Sequence, residues 1–275
     1  MTLYQIQELF YTGLASQYTR AERRIIFNAV AEKILKTKPD TDRQEVSEKE
    51  TMHFGEMLEA LQSGKPYQQV LGETEFYGLT FKVNEHVLIP RPETEELLEL
   101  ALQQLMDKTK LKILDIGTGS GIIPVVLKKH LPDAEVCAVD ISPEALKVAS
   151  ENAKLQEVDI KFSQMDYLRT ELEGQYDVII SNPPYIGLDE EADILSGVKD
   201  FEPALALFAP VPDALVFYRK IAEDCRTGLN KGGFVFLEIN QQLGPETLEL
   251  FTPVLEEASL LKDLSGNDRF VVGRK

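Results

Sequence analysis

From Lys112 onward, short β-branched runs alternate with runs of helical period. The strand-like runs are Lys112 to Ile116, Glu135 to Val139, Ile160 to Ser163 and Tyr176 to Ser181, and the helical ones are Ile122 to His130 and Glu144 to Leu155. Strands that are apolar on both faces must be covered on both, and a mainly parallel sheet wrapped by helices, an α/β fold, does this. The series continues with a helix at Ala214 to Leu229, a strand at Gly233 to Ile239, a helix at Glu246 to Leu255 and a short strand at Phe270 to Gly273. The first 64 residues lack this alternation. Leu3, Ile6, Leu9 and Phe10, then Ile25, Ile26, Ala29, Val30 and Ile34, then Met57, Leu58 and Leu61 repeat at helical spacing, and Gly64 and Pro66 stop the last run. A small bundle of four or five helices is expected there. Between the two regions, β-branched and aromatic residues around Gly78 predict a short hairpin. The expected parts are residues 1–73, a hairpin linker at 74–90, and residues 91–275.

Charge narrows the partners. Lys and Arg number 29 against 46 Asp and Glu, a net charge of -17, of which -14 falls on residues 76–275. That is a deficit of the cations a phosphate backbone requires, so no direct nucleic-acid contact is expected and an acidic face suits a basic protein. Cys137 and Cys225 sit in apolar stretches and read as free thiols in a reducing compartment. No basic leader with an apolar run follows Met1, and no stretch of about 18 apolar residues exists, so a cytoplasmic, membrane-free protein is expected. A monomer is the default expectation, since the sequence does not reveal the oligomeric state. His53, His86 and His130 are scattered without ligand spacing, and no metal is expected.

The first strand of the alternating region ends in Asp115-Ile116-Gly117-Thr118-Gly119-Ser120-Gly121 and runs straight into a helix. Three glycines in a tight turn at the end of a central strand mark a ligand site, because they allow positive φ and close approach to the backbone. Pro124 must lie in the first turn, so the helix starts near Gly121 or Ile122. The spacing is G-x-G-x-G rather than the dinucleotide G-x-G-x-x-G, and Asp115 would repel a pyrophosphate. An acid there suits a cation such as the α-ammonium of S-adenosylmethionine. Asp140 ends the second strand, 23 residues beyond Gly117, where a carboxylate can accept from both ribose hydroxyls; it also reads as an acid before a helix that opens at Pro143. Asp166 and Tyr167, at the end of the third strand, offer an acceptor for an adenine amino group and a ring for stacking.

After the next strand comes Ser181-Asn182-Pro183-Pro184-Tyr185. Two prolines fix φ and remove two donors, so the turn is preorganised to accept hydrogen bonds. Asn182 adds a side-chain carbonyl and Tyr185 an aromatic face. A planar NH2 group is a poor nucleophile because its lone pair is delocalised. If the Asn182 and Pro183 carbonyls each accept one N–H, the nitrogen is aimed at a methyl donor and its developing positive charge is stabilised. The nitrogen becomes acidic as it gains the methyl, so its proton can pass to solvent without a tuned base. Asn-Pro alone would read as a turn ending a strand; with Pro184, Tyr185 and the upstream glycines the catalytic reading is preferred.

Together with Gly72 to Gly78, Leu88-Ile89-Pro90-Arg91-Pro92-Glu93-Thr94-Glu95, Phe201-Glu202-Pro203 and Ala206-Leu207, these motifs make the chain, over nearly all its length, resemble the HemK-type methyltransferases that modify a glutamine in peptide release factors. The resemblance implies a helical N-terminal domain for release-factor recognition and a Rossmann-like class I methyltransferase domain with a mainly parallel seven-stranded sheet. It implies S-adenosylmethionine as methyl donor, S-adenosylhomocysteine as product, and the glutamine of a Gly-Gly-Gln loop as acceptor. Carried over, Gly117, Thr118, Gly119, Ser120, Gly121, Asp140 and Tyr167 correspond to cofactor contacts, joined by Asp115, Asp166 and Asn182. Asn182, Pro183, Pro184 and Tyr185 correspond to the glutamine-binding turn. Tyr167 stands where relatives often carry Trp or Phe, and Leu237-Glu238-Ile239-Asn240 departs from the expected pattern.

Arg91 is a further candidate for substrate binding, although Pro-Arg-Pro-Glu-Thr-Glu also reads as a strand-to-helix junction, which is the preferred reading for Glu93. The long connection from Ile186 to Val211 carries Asp189, Glu190, Glu191, Asp193, Asp200 and Glu202 against Lys199 alone, and is expected to form an acidic rim that guides a basic protein. Two other readings stay open. A nucleic-acid amino methyltransferase would use the same turn on adenine or guanine, and a non-catalytic adaptor would bind a translation factor through a retained fold.

Overall fold

A computed structural model describes residues 1–37, 44–186, 200–208 and 213–275. They divide into two compact units, one of Met1–Glu73 joined by Asp200 and Phe201, the other formed by the rest.

The first unit is built from α1 (Leu3–Gly13), α2 (Arg20–Leu35), α3 (Glu48–Gln62) and the short α4 (Tyr67–Leu71). Its three longer helices start alike. Thr2 with Gln5, Thr19 with Glu22 and Ser47 with Glu50 form capping boxes in which each side chain satisfies a backbone N–H of the other residue. The same hydrogen bonds hold the Glu22 and Glu50 carboxyls below their ordinary pKa. Phe10, Phe27 and Phe54 fill the middle of the bundle, with Phe10 edge-on to Phe27 at 5.6 Å and to Phe54 at 6.1 Å. The bundle has four helices among the described residues.

The second unit opens with the hairpin of β1 (Glu73–Phe76, its first residue shared with the bundle) and β2 (Leu79–Lys82). Tyr77 and Gly78 both have positive φ, as a two-residue hairpin turn requires. The helix α5 (Pro92–Leu105) follows, with Pro92 at its first position. The main sheet contains β3 (Lys112–Ile116), β4 (Glu135–Asp140), β5 (Lys161–Gln164), β6 (Tyr176–Ser181), β7 (Leu229–Glu238), β8 (Glu257–Lys262) and β9 (Asp268–Arg274), in the order β5-β4-β3-β6-β7-β9-β8. All pairings are parallel except those of β9, which runs antiparallel to both β7 and β8. This is the expected mainly parallel seven-stranded sheet. The strand Glu257–Lys262 gives little sequence signal because it is an edge strand with only partial burial.

Each central strand feeds two cores. Ile113, Val178, Ile180, Phe234 and Phe236 face α5 and α6 (Ile122–His130), whereas Leu114, Ile116, Ile179, Val235 and Leu237 pack against the helix Val216–Gly228. The period of two on fully apolar strands explains why the runs are continuous rather than alternating. The chain leaves β3 first toward β4 and β5, then returns to lay β6 on its other side. The carboxyl ends of β3 and β6 therefore flank the point where strand order reverses, the place where open α/β sheets bind ligands.

Candidate active site

A cavity of about 670 Å³ opens at that reversal. Gly117, Thr118, Gly119, Ser120, Asp140, Asp166, Tyr167, Asn182 and Pro184 line it, so most of the sequence-derived candidates converge on one space. Thr94, Met165, Phe208 and Phe217 complete much of its wall. Asp115, Gly121, Pro183, Tyr185 and Arg91 are not among its lining residues.

The glycine turn is a piece of backbone pinned to the next strand. The N–H groups of Gly117 and Thr118 both donate to the Val139 carbonyl, at 2.9 and 3.0 Å, and Gly119 N–H donates to Asp140 Oδ2 at 2.8 Å. Gly117, Gly119 and Gly121 have φ of +72°, +53° and +78°. Their surroundings differ. A Cβ on Gly117 or Gly119 would meet nothing within 4 Å, whereas one on Gly121 would come within 2.9 Å of the Ala149 Cβ. Gly121 is therefore a packing and helix-start residue, the N-cap of α6, which lets this helix approach α7 (Pro143–Leu155).

Asp115 is fully buried, and among the described residues neither of its carboxylate oxygens has a hydrogen-bond partner; the Thr118 hydroxyl is equally unpaired among them. Burial pushes the Asp115 carboxyl up to about 7, with Asp140 adding to the rise and the Thr118 hydroxyl opposing it. That hydroxyl is close enough to favour the ionised form but lies outside hydrogen-bonding geometry, so the orphaned oxygens stand. Buried polar groups without partners are rare and costly, and this pair, Asp115 directly behind the turn and Thr118 on the cavity wall, points to a ligand donor. Asp140 binds Gly119 N–H through one oxygen and Ser142 N–H, at 2.9 Å, through the other. Burial raises its pKa, and the hydrogen bonds from Ser142, Gly119 and Ile141 counter this. Ser142 in turn caps α7.

Asp166 and Tyr167 lie just past the end of β5, which stops at Gln164 rather than at Asp166. Asp166 is paired loosely with Arg169 at 3.6 Å. The Tyr167 ring is only 4% exposed, its hydroxyl donates to Asp224 Oδ2 at 2.6 Å, and Lys220 both pairs with Asp224 and sits over the ring. Burial, followed by the Asp224 hydrogen bond, holds this phenol far above its ordinary pKa, so it stays neutral.

The Asn182–Tyr185 turn is held by residues that sequence reasoning missed. Asn182 Nδ2 donates to Thr94 Oγ1 at 3.2 Å, and the Thr94 hydroxyl donates to Glu238 Oε2 at 2.7 Å. Tyr185 donates to Glu238 Oε1 at 3.3 Å, and its backbone carbonyl accepts from Asn240 Nδ2 at 3.2 Å. Glu238 is 1% exposed, and its carboxyl is pushed up to about 7 chiefly by burial. The segment Leu237–Asn240, which departs from the family pattern, thus contributes two anchors of the turn. Periodicity could not reveal this, because Glu238 simply occupies the last position of a buried strand.

Arg91 ion-pairs with Glu202 at 2.6 Å, and Glu202 also accepts from Ile89 N–H at 2.9 Å. Glu202 is 5% exposed. Its place in an acidic rim is therefore corrected: it faces inward, because the guanidinium and a backbone donor compensate its charge. Asp189, Glu190, Glu191, Asp193 and Lys199 lie outside the described residues, while Asp200 is exposed. Cys225 is buried and Cys137 half-buried, and both are free thiols. No helix among the described residues is long and apolar enough to cross a membrane.

A family model, the methyltransferase small domain, matches residues 96–197. Among solved structures, a methyltransferase from Pyrococcus furiosus aligns with a TM-score of 0.52 and 19% identity over 73% of this chain and 90% of its own. The hMettl16 catalytic domain aligns with a TM-score of 0.57 and 18% identity over 82% of each chain. These likenesses show the fold. Sequence relatives are nearer. Release factor glutamine methyltransferase from Flavobacterium psychrophilum is 41% identical over 98% of both chains, and that from Streptococcus pneumoniae is 46% identical over 84% of this chain and 82% of its own. The namesake from Bacillus subtilis is 38% identical over 83% of this chain and 82% of its own. On that similarity, spread over both units and the whole cavity, the chain belongs to the release factor glutamine methyltransferases.

Proposed function

We propose that this protein transfers a methyl group from S-adenosylmethionine to the side-chain amide nitrogen of the Gly-Gly-Gln glutamine in peptide release factors. The observation that carries the reading is the near full-length similarity to release factor glutamine methyltransferases, in a chain whose Asn182 stands at the reversal point with its amide nitrogen committed to Thr94. Among the described residues no donor reaches Asn182 Oδ1, so that oxygen is available to a substrate N–H.

The residues present fit the methyl donor. Asp115 brings two unpaired buried oxygens, which suit an ammonium directly or through water, and the space beside Gly117 and Gly119 is one that a Cβ would fill. Asp140 keeps lone pairs beyond its two backbone bonds for ribose hydroxyls, and Asp166 and Tyr167 border the part of the cavity assigned to adenine. When bound, the donor supplies a methyl group on a positively charged sulfur. The protein's own part is to orient the acceptor: Asn182 Oδ1 and the Pro183 carbonyl each accept one amide N–H, and Pro183, Pro184 and the anchored Tyr185 keep the turn from reorganising as charge develops. The tyrosine's buried phenol is raised well above its ordinary pKa by burial and by Glu238, so it keeps its proton and goes on donating to Glu238. The net charge of -14 on residues 76–275 supports a protein over a nucleic-acid substrate.

Incubation with labelled S-adenosylmethionine and purified release factors, in parallel with DNA and ribosomal RNA, tests the reading when the modified atom is mapped. Label on the glutamine amide nitrogen is expected. Label on a nucleobase would overturn it, and failure to bind the donor at all would favour an adaptor.

A further inference from the structure

A carboxamide has a donor end and an acceptor end of nearly the same shape, and the Asn-Pro-Pro-Tyr turn by itself does not determine which end of Asn182 meets the substrate. The surrounding hydrogen bonds do. An ionised carboxylate only accepts, so a hydroxyl beside it must donate its single proton to it. The Thr94 hydroxyl lies 2.7 Å from Glu238 Oε2, and a hydroxyl that has given up its proton in this way can only accept from its other neighbour. That neighbour is Asn182, 3.2 Å away, which must then turn its NH2 end toward Thr94.

We propose that Thr94 and Glu238 are positioning residues that set the polarity of the Asn182 carboxamide, through a one-way chain of hydrogen bonds from Asn182 to Thr94 to Glu238. The inference rests on the reading that Asn182 Oδ1 receives the substrate N–H. It adds that the acceptor end is selected by a helix residue 88 positions before Asn182 and by a carboxylate 144 positions beyond that helix residue.

The groups around Glu238 are arranged for this task. Tyr185 donates to its other oxygen, Tyr218 donates to its backbone carbonyl, Arg269 from β9 favours the ionised form and Glu93 from α5 opposes it. A neutral Glu238 can donate from Oε2 to Thr94. The hydroxyl is then released to donate to Asn182, which admits the reversed carboxamide with its NH2 toward the substrate. Two donors facing each other cannot bind, so the reversed form is inactive.

Two substitutions at Thr94 separate polarity from packing. Thr94→Val keeps the shape and loses the hydroxyl, while Thr94→Ser keeps the hydroxyl and loses a methyl. If the chain sets polarity, the valine variant loses about 100-fold in kcat with little change in cofactor affinity, as expected for a misplaced acceptor, and serine retains most of the rate. The opposite ranking, with valine active and serine impaired, overturns the proposal. Glu238→Gln should remove the acid limb of the kcat profile near neutral pH, and an unchanged limb counts against it. A readout independent of substrate is the nuclear Overhauser contact between the Asn182 side-chain NH2 and the Thr94 methyl in the cofactor-bound wild-type protein. Its presence supports the assigned orientation, and its absence with the NH2 resolved overturns it. Should wild-type protein leave release factors unmodified while showing that contact, the orientation stands and the substrate reading falls.

Discussion

The turn after β3 and the turn after β6 lie side by side, their strands paired from Ile113 opposite Val178 to Ile116 opposite Ser181, yet they are assembled by opposite means. The first is held mostly by its own backbone: positive φ at three glycines, two N–H groups on one carbonyl of the neighbouring strand, and an acid without a hydrogen-bond partner among the described residues. The second has no glycine and is held by side chains from far along the chain, Thr94, Glu238 and Asn240. A local backbone cradle can accept a ligand of defined shape, because its geometry is present whether or not the ligand is bound. A turn that must present one acceptor atom to a reacting group needs a wider scaffold, because a side-chain amide can otherwise rotate. The cradle is thus suited to binding and the scaffolded turn to orientation.

Substitutions can break this division. The largest effect is expected at Asn182: its change to alanine should remove about 2.7 to 4 kcal/mol of transition-state stabilisation while leaving cofactor affinity intact, measured by kcat and by calorimetric cofactor titration. A variant that loses cofactor but turns over normally when saturated would reverse the assignment of the two turns. Next is Asp115. Replacing it by asparagine should weaken cofactor binding by about 10-fold to 100-fold, the worth of one or two hydrogen bonds to a charged group, with kcat at saturation much less affected.

Asp115 also gives a test in the ligand-free protein. Asp115 and Glu238 both have folded-state pKa values raised to about 7 by burial, so the folded chain keeps protons that the unfolded chain has already released. With more protons bound in the native state, stability falls as pH rises from the ordinary carboxylate range near 4 to about 7. Each group contributes a slope of up to about 1.4 kcal/mol per pH unit, so thermal unfolding followed across this window should show a declining melting temperature. The decline should be shallower in Asp115→Asn. An equal slope in the variant would mean that the buried acid is not protonated in the free protein.

The glycines sharpen the comparison further. Gly119→Ala should cost about 1 to 2 kcal/mol of folding stability through its positive φ and lower cofactor affinity because its Cβ enters open space, whereas Gly121→Ala should add about 2 kcal/mol to a similar φ penalty through overpacking against Ala149. Equal loss of stability in both would show that the Ala149 contact relaxes and that only the positive φ is costly. The smallest effect is expected at Tyr167→Phe. It removes one hydrogen bond, about 1 kcal/mol of stability, while Asp224 keeps its pair with Lys220, and a ring that lines the cofactor space should leave affinity nearly unchanged.

Much of this is legible in the amino-acid sequence. The strand Tyr176–Ser181 and the helix Ile122–His130 have the bounds expected from periodicity, and Pro124 correctly placed the start of that helix near Gly121 or Ile122. These are local matters: a proline's missing donor, a run of β-branched residues, a glycine at positive φ. The edge strand Glu257–Lys262 escaped because half its residues face outward and its pattern is weak. Glu202 was misread as a surface acid because composition shows charge but not the guanidinium that compensates it. Thr94 was overlooked beside Glu93 because a threonine in the first turn of a helix has an ordinary explanation in helix geometry alone.

The amino-acid order, then, was sufficient for the alternation of elements, the cradle of glycines and the presence of an amide in a rigid turn, since each follows from interactions among residues within a few positions of one another. It was not sufficient for which acids stay unpaired, which ones find a partner, or which end of Asn182 faces the cavity. Those outcomes depend on hydrogen bonds between α5, β6 and β7, and on the loss of solvent around Asp115 and Glu238. Both exist only once the sheet has brought distant segments together and excluded water.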